Sequence, residues 1–183
     1  AALAAVLAKT GATFIAPYNH ADIIAGQGTA ALELCADVAD LDCLLAPVGG
    51  GGLLSGTALA AANALPTAAI YGAEPAGADD AQRSLRAGSI QSMDAPDTIA
   101  DGLRSTLGPL TFALIRRHVR AIICVRDEQI IAAMRLLWTR MKIVVEPSAA
   151  VPLAAVLASD RFRRRRIGII LSGGNVDLDH LPW

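Results

Sequence analysis

The run Pro47-Val48-Gly49-Gly50-Gly51-Gly52-Leu53-Leu54-Ser55-Gly56 constrains this chain more than any other. Four consecutive glycines carry a large conformational-entropy cost and contribute no side-chain packing. They are tolerated where backbone must approach something closely. Before them, Cys43 to Val48 is an unbroken apolar run of strand length. After them, Leu53 to Ala64 is Ala-rich and helical, stopped by Pro66. A strand, a glycine turn and a helix start aim several amide N–H groups at one spot, at the positive end of the helix dipole. That is an anion site, most naturally for a phosphate. Two common phosphate motifs do not fit. The sixth residue from Gly49 is Leu54 and from Gly50 is Ser55, so G-x-G-x-x-G fails. Thr57 stands where the P-loop requires a lysine, so neither a dinucleotide nor a nucleoside triphosphate is indicated.

Elsewhere helices and apolar strands alternate. Helices are expected at Ala2–Ala8, Thr29–Val38, Leu53–Ala64, Asp79–Ala87 and Leu110–His118. Two more are expected: Asp127, as cap, to about Met141, and Pro147–Leu157. Strands are expected at Ala12–Ile15, Cys43–Val48, Ala68–Ala73, Ala121–Val125 and Ile167–Leu171. Pro17–Asp22 reads as a loop, and Gly88–Gly108 as irregular. Strands that are apolar throughout, separated by helices, predict an α/β fold with a mostly parallel open sheet covered by helices on both faces. Ligands of such sheets bind at the carboxyl ends of the strands. Leu171-Ser172-Gly173-Gly174-Asn175 follows the last strand, placing the Ser172 hydroxyl at the top of the sheet beside glycines that leave room for a flat group.

Composition narrows the function classes. The 183 residues are 54% hydrophobic and 18% charged, enough to bury a core and too apolar for disorder. Apolar stretches such as Leu41 to Gly56 are broken too often for a membrane span. A net charge of −1 and 4% aromatics argue against a nucleic-acid partner. The basic cluster Arg161, Arg163, Arg164, Arg165 and Arg166 reads as a solvated face. Cys35, Cys43 and Cys124 are odd in number and lack C-x-x-C spacing, as expected of buried small hydrophobes in a reducing, cytoplasmic compartment. His20, His118 and His180 read as structural. A Ser172–His180–Asp177 triad lacks the nucleophile-elbow context.

With both glycine-rich loops in view, the chain resembles the fold-type II pyridoxal-phosphate enzymes, most of all their serine/threonine dehydratase and serine racemase-like branch. Pro47 to Leu53 and Leu171 to Asn175 look like that family's two cofactor loops. Asp22 to Thr29, Glu74-Pro75 with Ala78-Asp79-Asp80, Thr98 to Gly102, and Met141-Lys142 with Glu146 to Ala149 resemble it in the same order. The resemblance implies the large domain of the tryptophan synthase β-like fold, truncated at its N-terminus. Residues 1–183 would form one domain, with residues 1–11 the last helix of a missing small domain. It implies that Gly49, Gly50, Gly51, Gly52 and Leu53 hold the cofactor phosphate, that Ser172 bonds the pyridine nitrogen, and that Gly102 and Glu146 line the cofactor. A neutral hydroxyl at that nitrogen weakens the electron sink and favours prompt β-elimination. Glu74, Ala78 and Asp80 resemble a divalent-cation site, and their hard oxygen donors suit Mg²⁺ or Ca²⁺. The alternative is a simple acidic helix start.

The resemblance also implies a lysine bonded to the cofactor, in a Phe-Lys-x-Arg-Gly-Ala-like context, and a Ser-x-Gly-Asn-His loop. This chain has neither context: its two lysines are Lys9 and Lys142. The expectation is therefore a C-terminal fragment of an ammonia-lyase that converts L-serine or L-threonine to a 2-oxo acid and ammonia, inactive alone, with no catalytic residue of its own. The chain stops soon after Asn175, where no regulatory domain is expected to follow. Two alternatives stay open, a serine racemase-like fragment and a non-catalytic phosphate-binding or dimerisation module. Apolar surface left by the missing part predicts a homo-oligomer.

Overall fold

A computed structural model describes residues 2–183. Four parallel strands form one sheet in the order β3-β2-β1-β4, with β1 Cys43–Pro47, β2 Ala69–Pro75, β3 Ala121–Val125 and β4 Ile167–Ile169. Cys43 pairs with Ala69 on one side of β1 and with Ile167 on the other; Tyr71 pairs with Ala121. The helices are α1 Ala2–Thr10, α2 Ala21–Gln27, α3 Thr29–Asp37, α4 Gly52–Ala64, α5 Asp80–Ala87, α6 Pro109–His118, α7 Asp127–Leu136 and α8 Pro147–Leu157.

Strand alternation explains the continuous apolar runs. Leu44, Ala46 and Ile70 enter one core with Leu54, Ala58, Ala61 and Ile115 from α4 and α6. Cys43, Leu45, Tyr71 and Ala73 enter the other, with Ile130, Met134, Ala150 and Ala154 from α7 and α8. Both faces of the sheet are covered, so no strand position needs a polar residue. At one helix contact two backbones touch: a Cβ on Gly28 would lie 2.9 Å from Gly56 O, and one on Gly56 2.5 Å from Gly28 N. Trp138, beyond α7, donates its indole N–H to Val145 O (2.9 Å) and packs edge-to-face on Trp183, ring centres 5.4 Å apart.

Six expectations change. Ala12–Ile15 is not a strand; Phe14 and Ile15 are 52% and 70% exposed, and among the described residues no strand pairs with them. The loop at Pro17–Asp22 gives way to α2 at Ala21, where His20 Nδ1 accepts the Asp22 N–H (3.3 Å) and so takes the role usually filled by Ser, Thr or Asp. β2 runs two residues past Ala73, so Glu74 lies on the strand itself, and β4 stops at Ile169. The helix reaching Met141 is α-helical only to Leu136; Leu137–Met141 is a π-turn, closed by Lys142 at φ +60°. Asp127 is not its cap residue, which is Arg126. Its carboxylate turns away to accept the Thr98 hydroxyl (2.6 Å) and the Ile99 N–H (2.9 Å).

Candidate functional site: the glycine-loop cleft

The carboxyl end of β1 feeds the glycines directly into α4. Gly51 sits at φ +90°, in the left-handed region that favours glycine, and serves as the N-cap of α4. The first helical bond runs from Ser55 N–H to Gly51 O (2.9 Å), which leaves the N–H groups at the start of α4 without helical partners. Among the described residues, the Gly49, Gly50 and Gly51 N–H groups also find no partner within the chain.

The glycines have a packing role as well. A Cβ on Gly51 would meet Leu107 Cδ2 at 2.8 Å and Thr111 Cβ at 2.9 Å. One on Gly49 would meet Leu103 Cα at 3.0 Å, and one on Gly50 would collide with the Tyr18 ring. The buried Thr111 hydroxyl is bonded to Gly50 O (2.7 Å) and Gly108 O (3.0 Å) and accepts the Gly108 N–H. Asn19 Oδ1 accepts the Leu110 N–H (2.9 Å), which fixes the Pro17–Asn19 turn across the loop.

The resulting cleft measures about 430 Å³ and is lined by Gly49 to Leu53, Gly102, Ser105, Ser172, Tyr18, Gln27 and their neighbours. The structure thus brings together seven of the eight residues singled out for the cofactor. The eighth, Glu146, lies outside the lining. Its Oε2 accepts the Asn175 N–H (3.0 Å) and its own N–H donates to Gly173 O (3.1 Å), so it fixes the loop that carries Ser172. Gly102 N–H donates to Ser148 Oγ (3.2 Å), tying a second wall to the start of α8. Among the described residues no charged side chain lines the cleft. An anion there would be held by amide dipoles and hydroxyls, with the half positive charge of the α4 N-terminus behind them. The cradle fits a phosphate ester carrying a flat ring: bare glycine backbone for the phosphate, the Tyr18 ring against the loop, and the Ser172 hydroxyl on the lining. Neither lysine lines the cleft; Lys9 and Lys142 are both exposed.

Sequence reasoning passed over Tyr18, Gln27 and Ser105. In a chain with 4% aromatics, a tyrosine in a Pro-Tyr-Asn turn was the available signal. Thr111, which bonds Gly50, had none. His180 Nδ1 and Asp177 Oδ2 do bond (2.8 Å), but both are exposed, and neither lines the cleft where Ser172 stands.

The second constellation lies at the end of β2. Glu74 is 1% exposed and accepts the Ala81 and Gln82 N–H groups, each at 2.9 Å. Burial pushes its carboxyl up to about 8, against the pull of those two bonds. Asp80 opens α5, is likewise 1% exposed, and is pushed up to about 6 by burial, against a backbone bond from Leu107. Its Oδ2 is buried without a hydrogen-bond partner. Ala78 is buried in the turn Ala76–Ala78 between them. Cys124, half-buried rather than fully so, aims Sγ at Glu74 Oε2 (3.8 Å); burial and then the carboxylate push its thiol up to about 12. Among the described residues no three His, Cys, Asp or Glu side chains converge as a metal-ligand group. A cation here would need a backbone carbonyl as well as the two carboxylates.

The chain is 49% identical to the β-hydroxyaspartate dehydratase of Paracoccus denitrificans, over 98% of this chain and 58% of that protein. It is 49% identical to the serine racemase of Dictyostelium discoideum, over 91% of this chain and 53% of that one. The solved structure of maize serine racemase superposes with a TM-score of 0.92 at 46% identity, covering 96% of this chain and 55% of that one. The chain thus spans about half the length of the curated relatives it matches. The family described as "Pyridoxal-phosphate dependent enzyme" matches residues 1–173, and with the glycine cradle in place the chain belongs to that family.

Proposed function

We propose that this chain supplies the phosphate- and ring-binding part of a pyridoxal-phosphate ammonia-lyase acting on small hydroxy-amino acids: serine, threonine or 3-hydroxyaspartate. The observation that supports this reading is the cleft lined by Gly49 to Leu53, Gly102 and Ser172, where among the described residues the Gly49–Gly51 N–H groups find no partner within the chain. When bound, the cofactor supplies an electron sink for the amino-acid α-carbon. Gly49 to Gly52 and Leu53 hold its phosphate through backbone N–H groups. Ser172 offers the ring nitrogen a neutral partner, and Gly102 leaves room along the ring. Glu146 holds the Ser172 loop, and Tyr18 covers the glycines. Loss of the β-hydroxyl, and release of a 2-oxo acid and ammonia, then requires a lysine that this cleft does not contain. That lysine belongs to the remaining length seen in the relatives, and the complete enzyme is a cytoplasmic homo-oligomer.

The test is a spectroscopic titration with pyridoxal phosphate, with and without borohydride. Saturable binding that leaves no stable adduct, and no 2-oxo acid from serine, threonine or 3-hydroxyaspartate, is the expected result. Ser172→Ala is expected to move the absorption band while changing affinity less than about tenfold. A stoichiometric borohydride-stable adduct with lyase activity would place catalysis on Lys9 or Lys142. Binding of inorganic phosphate without the cofactor would favour a phosphate-binding module.

Glu74, Asp80 and the Ala78 carbonyl form a structural Mg²⁺ or Ca²⁺ site. The orphaned Asp80 Oδ2 supports this, since a buried oxygen without a partner is costly. Asp80 opens α5, so the cation braces the start of that helix. At a hundredfold excess over Kd, a cation raises Tm by roughly 5–10 °C. The expected result is that chelator reverses the rise and Asp80→Asn abolishes it.

A further inference from the structure

A larger cavity, about 650 Å³, lies along β3 at the edge of the sheet and shares no lining residue with the glycine cleft. Three arginines from three separate elements line it: Arg86 from the last turn of α5, Arg120 just ahead of β3, and Arg161 from the turn after α8. Among the described residues none of the three has a carboxylate within 4.0 Å or a side-chain hydrogen bond. The nearby acids are engaged elsewhere: Asp79 with Arg83 (2.7 Å), Asp160 with Arg163 (3.1 Å), and Glu74 with two backbone N–H groups. Arg161 is also steered. Its guanidinium lies 5.6 Å from the centre of the Tyr71 ring, and its backbone N–H donates to Ser159 Oγ (3.3 Å).

The geometry points to a binding site for a small polyvalent oxyanion of the oligophosphate class, seated between Arg86, Arg120 and Arg161. Three uncompensated guanidinium groups around one cavity repel each other, and a multiply charged anion relieves that repulsion while accepting paired N–H donors. The volume matches a small ligand. An added peptide strand is less well served. Gln82 crosses the strand to donate its side-chain amide to Ile122 O (2.8 Å), and arginines flank the edge.

The test is calorimetric titration of the chain, saturated with pyridoxal phosphate, with inorganic tripolyphosphate at fixed ionic strength. One site per chain is expected, weakening as salt rises. Arg120→Gln and Arg161→Gln are each expected to weaken binding about tenfold. Arg86→Gln, on the exposed end of α5, does the same and keeps the test decisive if either of the others fails to fold. Arg135→Gln, an exposed arginine on α7, leaves binding unchanged. An equal loss from Arg135→Gln, several weak sites per chain, or tighter binding of an oligoglutamate peptide would overturn the proposal. So would tripolyphosphate binding that survives all three cavity variants.

Discussion

At the scale of single residues, the glycine loop is held from outside as much as it is aimed inward. Gly51 combines a left-handed backbone with a position already filled by Leu107, Thr111 and Ile115. Gly51→Ala therefore adds conformational strain to overpacking, and is expected to cost roughly 2–4 kcal/mol. A urea titration checks this; an unchanged midpoint would show that α4 can shift to make room. The loop glycines and Ser172 were legible because residues that small, directly after an apolar run, add little to a core and leave backbone and hydroxyl free for a ligand. Tyr18 and Thr111 were not, because their roles arise from chain segments about 32 and 61 residues from Gly50, a distance no local pattern carries.

At the scale of elements, the pinning of the Gly88–Gly108 segment matters most to the site. Asp127 opens α7 but spends its carboxylate on Thr98 and Ile99, a short step from Gly102 in the cleft wall. Asp127→Ala is expected to lose about 2 kcal/mol through those two charge-assisted bonds. It should also raise amide exchange over residues 97–103 while α4 stays protected, as hydrogen-exchange mass spectrometry can read. Equal exchange in both proteins would mean that the segment is held by its other contacts. The same residue shows why boundaries were harder to read than elements. β1, α4 and α8 follow from unbroken apolar runs punctuated by glycine and proline. Asp before an amphipathic run looks like a cap, but only tertiary structure supplies the Thr98 hydroxyl that competes for it. Ala12–Ile15 has strand composition, and a strand also needs a partner edge. The π-turn at Leu137–Met141 leaves no periodic trace in five residues.

At the scale of the molecule, burial is uneven. No residue of α1 is buried, and Leu3, Val6, Phe14 and Ile15 are each more than half exposed. Trypsin is expected to cut after Lys9 before any site in the sheet domain, leaving Tm within about 1 °C, because surface loss away from packed elements costs little. Light scattering of the intact chain should show self-association, driven by that apolar surface. A monodisperse monomer, or a first cut inside α4 or α8, would contradict this picture. The edge-to-face contact of Trp138 with Trp183 bears on how any such experiment is followed optically. Both tryptophans of the chain are in that one pair. Emission excited at the red edge of the indole band therefore originates from a single corner of the molecule. It reports whether the final segment stays seated beside α7, and it is a local probe there, not a global one. Tyr18, lying on the glycine loop, is the chromophore placed to sense the cleft, so ligand titrations belong to tyrosine absorption and unfolding controls to the indoles.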